Sequence, residues 1–137
     1  MKVYLAAPWA DKSLMGDISA RVEGAGHTIT HKWWEVKEAK EGDWESPSIL
    51  REQAKLDVQG VRDSHLVVVF NTAKSEGKSF EQGVAVTENK PIIIVGKRGE
   101  VSKNVFHYLD NYRWVENLSE ALEVLDTIQW LASHEGV

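Results

Sequence analysis

Leu66-Val-Val-Val-Phe70 is apolar at every position, and a few residues later Gly77-Lys-Ser-Phe-Glu-Gln-Gly83 opens a helical pattern. A strand without polar alternation is covered on both faces, which is how a central strand of a parallel sheet is built, with helices above and below. The run Pro91–Val95, containing Ile-Ile-Ile-Val, reads the same way. Outward from these two, Val3–Ala6 and His27–Trp33 read as further strands and Tyr112–Val115 as a short last one. Helical patterns fill the gaps between Lys12 and Ala25, Ser48 and Arg62, and Phe80 and Glu88, and a final helix runs from Leu118 to about Ser133. Strands alternating with helices are the mark of βαβ units. The expected fold is α/β, a three-layer, doubly wound parallel sheet of about five strands, flavodoxin/Rossmann-like, forming one domain over residues 1–137. Asn117, with Glu120 three residues on, predicts a capped start for the last helix. Glu35–Pro47 is charged and aperiodic and reads as a long loop, either a flap over the ligand crevice or a surface insertion.

Composition narrows the function. The chain has 137 residues, no cysteine and a formal net charge of −5. Disulfides and thiolate metal sites are thereby excluded, and an acidic chain is a poor partner for a nucleic-acid backbone. No apolar run approaches the roughly 20 residues that span a bilayer. Met1-Lys-Val-Tyr-Leu begins a strand and not a signal peptide, so a cytoplasmic location is expected. The five histidines lack metal-ligand spacing: His27 and His31 would not converge from a strand. We expect neither metal nor cofactor. Six tryptophans, at positions 9, 33, 34, 44, 114 and 130, are many for this length, and those beside loops can stack on a flat ligand.

In an open α/β sheet the ligand lies beyond the carboxyl ends of the strands. Glu81 follows such a strand, and if it sits in a first helical turn the helix dipole favours its ionised, nucleophilic form. Acidic residues are also common there merely to offset the dipole. The surrounding Gly77, Ser79 and Gly83 allow a ligand close to the backbone, and Ser75, Lys78, Ser79 and the helix N-terminus are placed to hold a phosphate. In the helix Ser48–Arg62 the apolar stripe Leu50, Ala54, Val58 and Val61 brings Asp57 towards the sheet. A buried carboxylate needs partners, and a shifted pKa suits it to moving a proton; a residue at the stripe's edge paired with Lys or Arg is the plainer alternative. Tyr4 lies in the strand that lines the switch point of such a sheet. No serine-hydrolase elbow is present.

Four patches in this order resemble the nucleoside 2-deoxyribosyltransferase superfamily, which includes the 2′-deoxynucleoside 5′-phosphate N-hydrolases. They are Val3-Tyr-Leu-Ala-Ala-Pro-Trp9, Lys55-Leu-Asp-Val-Gln-Gly-Val61, Asp63-Ser-His-Leu-Val-Val-Val-Phe70 with Gly77-Lys-Ser-Phe-Glu-Gln-Gly-Val-Ala85, and Lys90-Pro-Ile-Ile-Ile-Val95. The resemblance implies Glu81 as nucleophile, Asp57 as the group handling the nucleobase proton, and Tyr4 as the residue orienting Glu81. It further implies substrate contacts at Trp9, Trp33, Ser75, Gly77 and Ser79, with Asn104 completing the site of a neighbouring subunit. Ser75 stands where many transferases carry an acidic residue, a feature of the N-hydrolases, whereas Pro8-Trp-Ala-Asp-Lys-Ser13 is closer to the transferases. The implied reaction is cleavage of an N-glycosidic bond, with transfer of the sugar to another base ahead of hydrolysis of a nucleoside 5′-monophosphate. The implied partners are a nucleoside or nucleotide and a free nucleobase, with no membrane or polymeric nucleic acid. A homodimer or higher homo-oligomer is expected from the family's shared sites and from the apolar excess of the last helix at Leu122, Leu125, Ile128, Trp130 and Leu131. Two other classes remain open, a non-catalytic nucleotide-binding sensor and a protein-interaction module whose tryptophans form the contact surface.

Overall fold

The computed structural model describes residues 1–35, 46–99 and 104–134. Five parallel strands, β1 (Lys2–Ala6), β2 (Thr28–Ile29), β3 (Leu66–Phe70), β4 (Ile92–Val95) and β5 (Tyr112–Val115), form one sheet in the order β2-β1-β3-β4-β5. The helices are α1 (Met15–Gly24), α2 (Pro47–Asp63), α3 (Glu76–Thr87) and α4 (Leu118–Ser133). α1 and α4 share one layer, joined by Arg21 to Ser119 at 3.0 Å. α2 and α3 share the other, joined near their carboxyl ends by Arg62 and Glu88 at 2.9 Å. This is the doubly wound, flavodoxin-like arrangement, whose order reverses between β1 and β3 and leaves a crevice at their carboxyl ends. No helix among the described residues is long and apolar enough to cross a membrane.

The core explains the sequence pattern. β3 and β4 are buried at every residue, as are Val3, Tyr4, Leu5 and Ala6 of β1. Each such aliphatic side chain removed from water contributes about 1.5–3 kcal/mol. The register carries Tyr4 to Val67, Val67 to Ile92, and Ile92 to Tyr112, so both tyrosines stand in one row across the sheet.

Three expectations need correction. The strand predicted over His27–Trp33 shrinks to Thr28–Ile29, because Trp33 and Trp34 turn into the interior on a 3-10 turn, Trp33–Glu35, and the Trp33 indole N–H donates to the Leu5 carbonyl at 2.8 Å. α3 begins at Glu76 and not at Phe80, because the Ser75 hydroxyl accepts from the Lys78 N–H and caps the helix there. The stripe on α2 faces the sheet only at its carboxyl end: Val61 is buried, Leu50 and Val58 are partly covered, and Ala54 is exposed. The middle of α2 instead borders a cavity through Gln53, Leu56 and Asp57. Most of the predicted loop Glu35–Pro47 lies outside the described residues. The cap at Asn117 forms as expected, its side chain accepting from the Glu120 N–H at 2.9 Å.

Candidate active site

At the carboxyl ends of β1 and β3 a cavity of about 170 Å³ opens between α2 and α3. Tyr4, Trp9, His31, Trp33, Asp57 and Glu81 all line it, as do Ser75, Gly77 and Lys78. Each arrives from a different local device. β1 carries Tyr4, the end of the short β2 segment leads to His31, and the two carboxylates project from the two helices of one layer.

The Tyr4 hydroxyl donates to Glu81 Oε2. Glu81 is the sixth residue of α3, past the first turn where the dipole is felt, so the expectation of a carboxylate kept ionised by the helix is overturned. Burial instead pushes its pKa from 4.5 up to about 8; the Tyr4 hydrogen bond pulls down and the charge of Asp57 pushes further up. Tyr4 is fully buried and its phenol is held well above its usual pKa by that burial and by the two carboxylates. It therefore stays a neutral donor.

Asp57 Oδ1 lies 3.3 Å from His31 Nε2. Burial raises the Asp57 pKa, and the His31 ring opposes the rise by charge and by hydrogen bonding. The side chain of Asp57 is 40% exposed, which leaves one edge of the carboxyl open to the cavity. Gly60, one turn along α2, is the packing point behind both contacts. A Cβ there would lie 2.7 Å from the His31 Cβ and 2.9 Å from Tyr4 Cε2, so only glycine lets α2 come this close. The Thr30 hydroxyl locks the approach by donating to the Gly60 carbonyl at 2.7 Å.

The opposite wall is aromatic. Trp9 and Trp33 stand with ring centroids 6.0 Å apart and planes tilted by 33°, and Trp34 meets Trp33 edge-on at 5.5 Å. Trp33 is 7% exposed and held by its N–H, whereas Trp9 is 50% exposed and presents a face to which Lys12 adds its ammonium at 4.7 Å.

Not every residue singled out from the sequence lies here. Ser79 is turned away, donating to the Ser75 carbonyl at 3.2 Å. Asn104 caps the 3-10 turn Val105–Tyr108 by accepting from the Phe106 N–H, and lines a separate cavity with Arg98 and Trp114. Lys78 is buried with its ammonium on the Ala73 carbonyl at 2.6 Å, so it staples the loop after β3 and does not reach into this cavity as a free cation. His31 is the residue that sequence reasoning passed over. Its position depends on Gly60 of a helix nearly thirty residues on, and the sequence reading weighed it only as a metal ligand with His27 and set that aside.

No family model matches the chain, and no characterised protein matches it by sequence. Solved structures do. The structure of Clostridium botulinum CMP N-glycosidase, BcmB, matches with a TM-score of 0.62 at 23% identity, over 92% of this chain and 99% of that one. The 2-deoxyribosyltransferase of the psychrotolerant bacterium Bacillus psychrosaccharolyticus matches with a TM-score of 0.66 at 18% identity, over 89% of this chain and 90% of that one. The chain is similar to both over nearly its whole length, and at these identities the likeness is one of fold.

Proposed function

We propose that this protein cleaves the N-glycosidic bond of a 2′-deoxynucleoside and passes the sugar to another base. The observation that carries this reading is the Tyr4–Glu81 hydrogen bond in a cavity that also holds Asp57. A carboxylate oriented by a neutral phenol, facing a second carboxyl that can hold a proton, is the equipment for nucleophilic substitution at an anomeric carbon. Glu81 Oε attacks C1′ as the C1′–N bond breaks. The bonding pair leaves with the base, Asp57 donates its proton to the base nitrogen, and the sugar remains as an ester of Glu81. A second base then attacks C1′, releases Glu81 and returns a proton to Asp57. Both carboxyl groups are drawn towards their protonated forms by burial, and the reactive state in this scheme has Glu81 ionised and a proton on Asp57.

The fold neighbours named above, a CMP N-glycosidase and a 2-deoxyribosyltransferase, support glycosidic chemistry as the class. Transfer is favoured by the Trp9 and Trp33 wall, which offers a stacking face to a departing or arriving base. Hydrolysis of a nucleoside 5′-monophosphate is the second reading, favoured by the hydroxyl of Ser75 at the cavity wall, where a carboxylate would repel a phosphate. A homo-oligomer belongs to the proposal, since Trp130 and Leu131 of α4 are 58% and 57% exposed. The test is chromatography of the protein with 2′-deoxynucleosides and, separately, their 5′-monophosphates, with and without a second base, beside Glu81→Ala. Exchange or release of base that disappears in Glu81→Ala is the expected result; ligand binding without any turnover leaves a non-catalytic sensor in its place.

A further inference from the structure

α2 turns Gln53, Leu56 and Asp57 into the cavity at Glu81, the i, i+3 and i+4 positions of one helix face. Asp57 has a task in the proposed chemistry. Gln53, about 6 Å back along the helix axis, has none, although it stands in the same wall.

The polar groups of the other lining residues are largely spent. Tyr4 is bonded to Glu81, and His31 lies against Asp57. The Trp33 N–H donates to the Leu5 carbonyl, the Lys78 ammonium is held by the Ala73 carbonyl, and the Ser75 hydroxyl accepts from the Lys78 N–H as the cap of α3. Gln53 hydrogen-bonds to no described residue. Nor is its amide sealed away: among the described residues the side-chain atoms buried without a partner are Asn71 Nδ2, His107 Nδ1 and Trp114 Nε1. Gln53, partly covered, thus brings two donors and an acceptor that keep exposed surface at the cavity and have no described partner.

A flat ring stacked on Trp9 turns its edge, where its hydrogen-bonding groups lie, towards the wall across from it. Asp57 meets that edge at the nitrogen that takes its proton, and Gln53 meets it one helical turn farther along. An amino base donates its exocyclic N–H to the amide oxygen and accepts from the amide nitrogen at the adjacent ring nitrogen. A keto base donates its ring N–H to the same oxygen and accepts from the same nitrogen at its carbonyl. A carboxamide serves either pattern by turning end for end, provided that no neighbour holds it.

We propose that Gln53 is a specificity-determining residue that reads the hydrogen-bonding edge of the nucleobase, and that its unheld amide makes the site accept amino and keto bases alike. The inference rests on the reading that this cavity takes a nucleoside; it does not rest on the fate of the sugar.

The experiment is calorimetric titration of the full chain carrying Glu81→Ala, which stops turnover, with 2′-deoxyadenosine, 2′-deoxyinosine and 2′-deoxyguanosine, alone and combined with Gln53→Leu or Gln53→Glu. Leu and Glu are both good helix formers, so α2 is kept. The Glu81→Ala protein should bind the amino and keto nucleosides with comparable affinity, and Gln53→Leu should weaken both together by about ten-fold. Hypoxanthine and guanine differ by one exocyclic amino group beside the ring N–H. A carboxylate only accepts, so Gln53→Glu should raise the preference for 2′-deoxyguanosine over 2′-deoxyinosine by about ten-fold, a ratio that cancels any general effect of the added charge. A ratio that does not move, or a Gln53→Leu protein that binds as tightly as its parent, overturns the proposal, as does the absence of any nucleoside binding. A ratio that shifts in a protein whose Glu81 form cleaves no glycosidic bond retires the proposed function alone; turnover with an unmoved ratio retires the role of Gln53 alone.

Discussion

The hydroxyl of Tyr4, in the first strand, donates to the carboxylate of Glu81, in the third helix, across a sequence separation of 77 residues. That bond is the one force holding the Glu81 proton affinity down while burial and Asp57 push it up. Tyr4→Phe removes it and keeps the packing of the ring. A hydrogen bond to a charged group is worth about 1.5–3 kcal/mol, or about 10- to 100-fold. The acidic limb of the kcat profile should therefore move to higher pH, and kcat at pH 7 should fall by that factor; a limb that stays in place would exclude Tyr4 from any part in setting Glu81.

Stability carries the same signature. The folded Glu81 has a pKa of about 8 against 4.5 for a free carboxyl, so between those values the native state binds more protons than the unfolded chain. Stability from this group is full below about pH 4.5 and declines as pH rises to about 8. Glu81→Gln keeps an acceptor for Tyr4 and cannot ionise. Discounting for partial exposure, it should exceed the parent by about 1–2 kcal/mol at pH 9 and converge with it at pH 4. Thermal melts at the two pH values decide it, and a variant less stable than the parent at pH 9 would contradict the buried-carboxylate account.

His31 stands beside Asp57 in the cavity wall. Its ring is one of the influences on the Asp57 proton, so His31→Phe should slow cleavage of substrates whose base must be protonated, by about ten-fold. A nitrophenyl deoxyriboside, whose leaving group departs without a proton, should be cleaved almost as fast by the variant as by the parent. Equal losses on both substrates would make His31 a packing residue only.

Gly60→Ala places a methyl 2.7 Å from the His31 Cβ and 2.9 Å from the Tyr4 ring. The Tyr4 ring cannot retreat, since it is fully buried in the central sheet. Overpacking of this kind costs about 1–3 kcal/mol, and activity should fall with it even at temperatures where the variant remains folded. Denaturant titration and kcat measured on the same preparation check both.

Much of the fold is legible where local and global preferences agree. β3, β5 and α4 have the bounds their residue patterns predict, because an unbroken apolar run, a short β-rich run and a capped amphipathic segment each admit one structure. His27–Trp33 misleads because its aromatic residues satisfy themselves by turning inward, a tertiary choice invisible in β propensity. Gly77 misleads in the opposite sense: it looks like loop, yet the Ser75 cap carries the helix through it. Tyr4, Asp57 and Glu81 share a cavity because the order reversal between β1 and β3 gathers whatever follows those strands. His31 has no such marker, since its place depends on a contact between distant segments.

Every described residue lining the first cavity falls between Tyr4 and Glu81. A ribosome has thus delivered all of that described lining before β4, β5 and α4 exist. Yet β3 bonds to β4 along its length, and Gln82 of α3 takes its hydrogen bond from Tyr112 of β5. The chain owns its reactive groups early and can hold them in place only late, so the carboxyl-terminal half serves as the clasp that turns an inventory of side chains into a site.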